Sequence, residues 1–235
     1  MPRAVKRPAT PDAPSTPAKR RYDATGRRAA AQATRRRVLT AARELILARG
    51  YAATTMAAVA AAAGVSVETI YLAVGPKAAL VRELVELALS DAERPLPPLE
   101  REGVRAITAE PDPRRKVRLF ARLVRQLQER LAPLWAVVEA AAPGDADLAA
   151  LVAELYARHV GSMRLFVDHL AAAGCLRAGL APTLAADLLW AMNSPAFYRL
   201  LAVERRWSGD TVERFLADAW QLLLLPDPPG PRAAP

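Results

Sequence analysis

The sequence predicts an all-α protein, in which an N-terminal three-helix helix-turn-helix domain precedes a larger helical bundle. Three observations carry this. The composition is 52% hydrophobic but only 6% aromatic, with alanine and leucine abundant, and both are strong helix formers. Apolar residues recur at three- and four-residue spacing, and nowhere is apolar–polar alternation sustained. Residues 55–74 carry two caps and a glycine in the register of two short helices crossing at a tight turn. At 235 residues the chain is long enough to bury one large core or two modest ones.

Charge and cysteine usage narrow the class. Residues 1–37 hold 11 Arg or Lys against Asp12 and Asp23, while the remaining 22 basic and 22 acidic residues balance. The whole excess of +9 therefore lies beside the helix-turn-helix, where a polyanion would be met. Residues 1–26, rich in Pro, Ala, Thr and basic groups, read as a disordered basic arm that either enters a minor groove or attracts phosphates non-specifically. No apolar run approaches the ~18–20 residues of a membrane span. The start, with five prolines by Pro17, lacks the apolar core of a signal peptide, so a cytoplasmic protein without membrane contact is expected. Cys175 is the single cysteine and is expected to be buried; it excludes an intrachain disulfide.

In chain order, the first helix should run from Arg28 to Arg49 with Val38, Leu39, Ala42, Leu45 and Ile46 as its apolar stripe. Thr55 caps a second helix carrying Met56, Val59, Ala60 and Ala63, and Gly64 supplies the left-handed ending that glycine tolerates. Ser66 caps the third helix, with Ile70 and Val74 inward, and Ala60 small enough for the two helices to approach. Such a unit lays its second helix in the major groove. A fourth helix from Lys77 to Ala92, with Leu80, Val81, Leu84, Val85 and Leu87, is the natural lever between DNA and the following bundle.

Pro95, Pro97 and Pro98 end the first domain (27–93) and begin the second (99–225). A short helix precedes Pro111 and Pro113. The next carries Val117, Phe120, Ala121, Val124, Leu127 and Leu131, and Pro133 is expected to kink or interrupt it. Asp145 should cap a long helix, Ala146 to Ala172, about 40 Å at 1.5 Å per residue. A helix after Pro182 should contain Pro195 and bend there. The last begins at the Ser208 cap and ends at Pro226, and 226–235 should be disordered.

The stretch Arg36 to Lys77 resembles the DNA-binding domain of the TetR family of transcriptional regulators. The likeness rests on Gly50-Tyr51, Thr54-Thr55, Ala63-Gly64-Val65-Ser66, Tyr71 and Lys77. The chain departs from the family at Leu72, Ala73 and Val74, so base preferences cannot be copied from any relative. The run from Leu188 to Trp220 also resembles the two C-terminal helices with which such regulators dimerise. The resemblance implies a homodimer on a palindromic double-stranded DNA operator, most simply a repressor. It places DNA contacts on the recognition helix at Ser66, Val67, Glu68, Thr69, Leu72 and Ala73, and phosphate contacts at Thr54, Thr55, Tyr71 and Lys77. Val67, Leu72 and Ala73 offer only apolar contact, best with thymine methyls. Glu68 either accepts from cytosine N4 or simply complements the helix dipole.

Val203, Phe215, Ala219, Leu222 and Leu223 are the expected dimer interface, a four-helix bundle across the two-fold axis, unless these faces close the chain's own core. Bends at Pro133 and Pro195 beside the long helix should leave an apolar cavity bordered by Trp135, Met163, Phe166, Trp190, Asn193 and Phe197, suited to a small apolar or aromatic effector. No charged cluster is expected there.

Neither a cofactor nor a metal site is expected. His159 and His169 lie on different helix faces, and Glu154 misses the Glu-x-x-His spacing of di-iron bundles. No catalytic or nucleotide-binding fingerprint is present. That leaves a helical-bundle enzyme as a remote alternative and a ligand-blind architectural DNA binder as another.

Overall fold

The computed structural model describes residues 24–90 and 96–227, and the expectations for the basic arm before Ala24 and the tail after Asp227 lie outside them. Ten α-helices account for most of the described residues, which contain no strand. Helix α1 (Ala24–Arg49) starts before the expected Arg28. It is followed by α2 (Met56–Ala63), α3 (Val67–Ala73) and α4 (Lys77–Ser90). The second half comprises α5 (Glu102–Ala109), α6 (Pro113–Ala141), α7 (Ala146–Ala172), α8 (Pro182–Met192), α9 (Pro195–Arg199) and α10 (Gly209–Leu224).

Local chemistry sets the boundaries. Thr55 accepts the Ala58 N–H at 3.1 Å, and Ser66 accepts that of Thr69 at 3.1 Å, each satisfying an orphan donor at a helix start. Gly64 sits at φ +65° and its N–H turns back to the α2 carbonyls, so α2 and α3 meet at 95°. Asp145 caps α7 through the Leu148 N–H at 3.0 Å, as its sequence position predicts.

Pro133 does not interrupt its helix, and Pro195 does not lie inside one. Helix α6 runs unbroken through Pro133. Pro133 lies on its exposed face, as does Glu129, whose carbonyl loses its partner to the missing N–H; that carbonyl can be hydrated. On the opposite face Leu131, Ala132, Leu134 and Trp135 are buried, and breaking the helix would expose them. Pro195, in contrast, does not bend a helix but starts one. Helix α8 ends at Met192, and Ser194 accepts the Phe197 N–H at 3.1 Å with Pro195 in the first position. That position tolerates proline because its N–H would be unpaired anyway.

The core divides across the predicted domain boundary, not along it. One cluster joins Val38, Ile46, Ile70, Leu80 and Leu84 of the first four helices to Leu134, Val138, Leu148 and Leu151 of α6 and α7. A second gathers Phe120, Val167, Leu189, Leu216 and Trp220. Phe120 stacks on Phe166 at 4.2 Å and on Trp220 at 5.1 Å between ring centroids. Cys175 is half-buried instead of buried; its thiol donates to the Ala173 carbonyl.

Leu134 is fully buried where the two halves meet. Leu134→Ala should destabilise the whole chain by about 2–5 kcal/mol, measured by urea unfolding, with the helix-turn-helix melting together with the bundle.

Candidate nucleic-acid interface and effector cavity

Helix α3 buries Ile70 fully and presents one face outward. Leu72 is 89% exposed, an apolar side chain standing in water on the face expected to read bases. Ser66, Glu68 and Tyr71 are exposed as well, while Val67, Thr69 and Ala73 are half-buried. The Ser66 and Thr69 hydroxyls meet at 3.0 Å. Glu68 is held below the ordinary carboxylate range by its own amide N–H, then by the Ser66 hydroxyl. It is therefore anionic near neutral pH.

Thr54 and Lys77 are placed otherwise than expected. Thr54 is 2% exposed and donates its hydroxyl to the Gly50 carbonyl at 2.8 Å, so its side chain faces the core and not a phosphate. Lys77 donates to the Tyr51 carbonyl at 2.5 Å, with its ammonium 3.9 Å from the Tyr51 ring centroid. Desolvation holds the Lys77 pKa below its usual value, against the opposing pull of Asp145. Thr55 remains exposed.

Polar links then fix this unit on its support. Arg35 of α1 donates to both carboxylate oxygens of Glu83 and to the Ala73 carbonyl, each at 2.5 Å, so one side chain ties α4 to the end of α3. Tyr51 donates to Asp145 at 2.8 Å, joining the α1–α2 turn to the cap of α7. Arg82 forks onto Glu154 at 2.6 and 2.7 Å, and Arg158 reaches Glu86 at 2.6 Å. None of these partners is near the other in sequence, so no local pattern announced them. The one available sign was Glu83, a carboxylate set between Leu80 and Leu84 on the apolar face of α4.

Below α4 lies a cavity of about 1000 Å³. Trp135, Met163, Phe166, Asn193 and Pro195 border it, together with Val85 and Leu89 of α4. Trp190 and Phe197 do not. Trp190 packs behind Tyr156 and His159, and Phe197 stacks toward Phe215. Gln128 donates to Asn193, whose amide reaches the Met163 sulfur at 3.5 Å, while the Gln128 amide oxygen and the Trp135 indole N–H are buried without a hydrogen-bond partner. Contrary to expectation the wall is charged: Arg101, Lys116 and Arg158 line it. His159 and His169 both border the same space despite their different helix faces. No group of three or more His, Cys, Asp or Glu among the described residues is placed to hold a metal ion.

On the outer face, Val203, Phe215 and Leu222 are exposed, with Ala219 and Leu223 half-buried. The inner side of α10 closes the core through Val212, Leu216, Trp220 and Leu224, and Leu223 packs against its edge, while Val203, Phe215 and Leu222 stay exposed.

Two outcomes follow. Arg35→Ala leaves Glu83 buried without its partner and frees the end of α3, and should lower stability by about 1–3 kcal/mol in urea unfolding. His159 is pushed by burial from 6.5 down to about 4 and is neutral at pH 7. Because its folded value lies below its unfolded one, the stability it contributes is complete above pH 6.5 and is lost as the pH falls toward 4. The melting temperature should drop across that window, and by less in His159→Phe.

Residues 38–84, from the buried half of α1 into α4, match the profile of the bacterial regulatory proteins of the tetR family. No curated protein sequence matches significantly. Among solved structures, the fold is similar to NalD of Pseudomonas aeruginosa, the secondary repressor of the MexAB-OprM multidrug efflux pump. That likeness has a TM-score of 0.63 at 23% identity, covering 85% of this chain and 99% of that one. It is also similar to the fatty acid degradation regulator FadR of Bacillus halodurans, with a TM-score of 0.64 at 15% identity, covering 80% and 94%. At such identities these likenesses speak for the fold, while the helix-turn-helix match speaks for the lineage. Residues 38–84 thus carry the N-terminal helix-turn-helix of the tetR family of bacterial regulatory proteins, and the described chain as a whole shares the fold of solved regulators of that family.

Proposed function

We propose that the protein is a repressor that binds a palindromic operator as a homodimer and is released by a small, largely apolar molecule. The observation that carries this is the position of α4. Its first turn holds the α1–α2 turn through Lys77, while Val85 and Leu89 of its second half border the cavity. In this reading residues 27–93 read DNA, and residues 99–225 sense the effector and dimerise.

Helix α3 enters the major groove with Val67, Glu68, Thr69, Leu72 and Ala73 toward base edges, while Thr55 and Tyr71 meet phosphates. Lys77 acts through the Tyr51 carbonyl that it holds, keeping the start of α4 against the helix-turn-helix. Two copies paired through Val203, Phe215, Ala219, Leu222 and Leu223 would set two α3 helices about one DNA turn, ~34–36 Å, apart. An effector that fits the cavity better in a form with α4 displaced shifts the population away from that spacing and weakens DNA binding.

Selection from random DNA should enrich an inverted repeat, and Thr69→Ala should change the preferred bases whereas Thr55→Ala weakens all sequences alike. Absence of any enriched motif would refute sequence-specific binding. Light scattering should give about 50 kDa, twice the 25.3 kDa chain. Phe215→Arg with Leu222→Arg should give the monomer mass and lose operator affinity. Compounds that raise the melting temperature should, at saturation, release operator DNA; stabilisers that leave DNA bound would argue against the cavity as the switch.

A further inference from the structure

We infer that the cavity is built for an anionic amphiphile, an apolar body bearing one carboxylate, and that Lys116 of α6 neutralises the acid. This rests on the proposal that the cavity holds the effector, and names the class of molecule it takes.

The lining holds three permanent cations, Arg101, Lys116 and Arg158, and neither an aspartate nor a glutamate. The two arginines share an acid from outside the cavity: Glu86 of α4 lies 2.6 Å from Arg158 and 3.9 Å from Arg101. Lys116 has no such partner. The residue is 6% exposed, and among the described residues its ammonium makes neither a hydrogen bond nor an ion pair. The nearby acids are engaged elsewhere. Asp112 caps α6 at the amides of Arg114 and Arg115, and Glu110 pairs with Arg115 at 3.4 Å.

Lys116 leaves an unmatched positive charge on the cavity wall, and a carboxylate entering the cavity converts that charge into a charge-assisted pair. A neutral ligand of the same shape leaves the charge unmatched, and a cationic one adds to it. The remainder of the space suits a long apolar body. The wall spans α7 from Leu155 to His169, about 20 Å at 1.5 Å per residue. Leu99 and Leu165, 74% and 71% exposed, flank its opening with apolar surface. Lys116 was legible in the sequence only as a cation one turn before Phe120, on the buried face of α6.

The test uses the full chain with sodium laurate and its neutral counterpart methyl laurate, read by calorimetric titration. Laurate should bind wild type at least about tenfold more tightly than the ester. Lys116→Met should abolish that preference, and Lys116→Arg should restore it. Equal affinity of wild type for acid and ester would overturn the inference. So would a preference that survives in Lys116→Met but is lost in Arg158→Met. Nile red, neutral and apolar, separates this from the underlying proposal. If Nile red binds and Leu127→Trp excludes it, the cavity is a ligand site whatever the acid does. If Nile red binding is absent or insensitive to Leu127→Trp, the effector-site reading itself falls.

Discussion

The core of the DNA-reading helices is continuous with that of the bundle. Val38 and Ile46 of α1 and Leu80 and Leu84 of α4 are buried against Leu131, Leu134 and Val138 of α6 and Leu148 and Leu151 of α7. A three-helix unit of this size buries little apolar surface by itself, and small domains are marginal for that reason. Here the missing surface is supplied by the bundle. The orientation of α3 is consequently a property of how α4 sits on α6 and α7, and any change in that packing is felt at the exposed face that carries Leu72.

Polar links make the seat directional as well as tight. Dispersion and burial resist separation but are indifferent to small rotations, whereas forked hydrogen bonds are not. Arg82 on Glu154 and Arg158 on Glu86 grip α4 at two successive turns, and Tyr51 on Asp145 adds a third point at the other side of the unit. These pairs are partly solvent-exposed, so each is worth little on its own. Their value lies in choosing one arrangement among several that would bury similar area. Arg158 stands at the centre of this scheme, since it both grips α4 and borders the cavity.

The cavity survives for a related reason. Helix α6 passes Pro133 without interruption, and α8 gives way to α9 at Ser194–Pro195, so the wall between them is a seam between separate helices. Phe120, Phe166 and Trp220 stack together in the core, and Phe120 and Phe166 also border the open space. Of the cations on this wall only Lys116 is buried; Arg101 is half-buried and Arg158 is exposed.

Much of the fold was legible in the sequence because it is determined by neighbours in the chain. The caps at Thr55, Ser66, Asp145 and Ser208, the turn at Gly64 and the full extent of α7 depend on residues three or four apart, and periodicity reports them directly. Ser194 before Pro195 was such a signal too, though an apolar run on either side suggested one bent helix where there are two. What the tertiary structure alone decided is of another kind. Thr54 and Lys77 look like surface groups until α1 and the α1–α2 turn close over them. The partnership of Arg35 with Glu83, the solitude of Lys116 and the absence of Trp190 and Phe197 from the cavity wall depend on contacts between residues far apart in sequence. Apart from Glu83, a carboxylate on the apolar face of α4, these residues carry no local sign of the neighbours that folding brings to them.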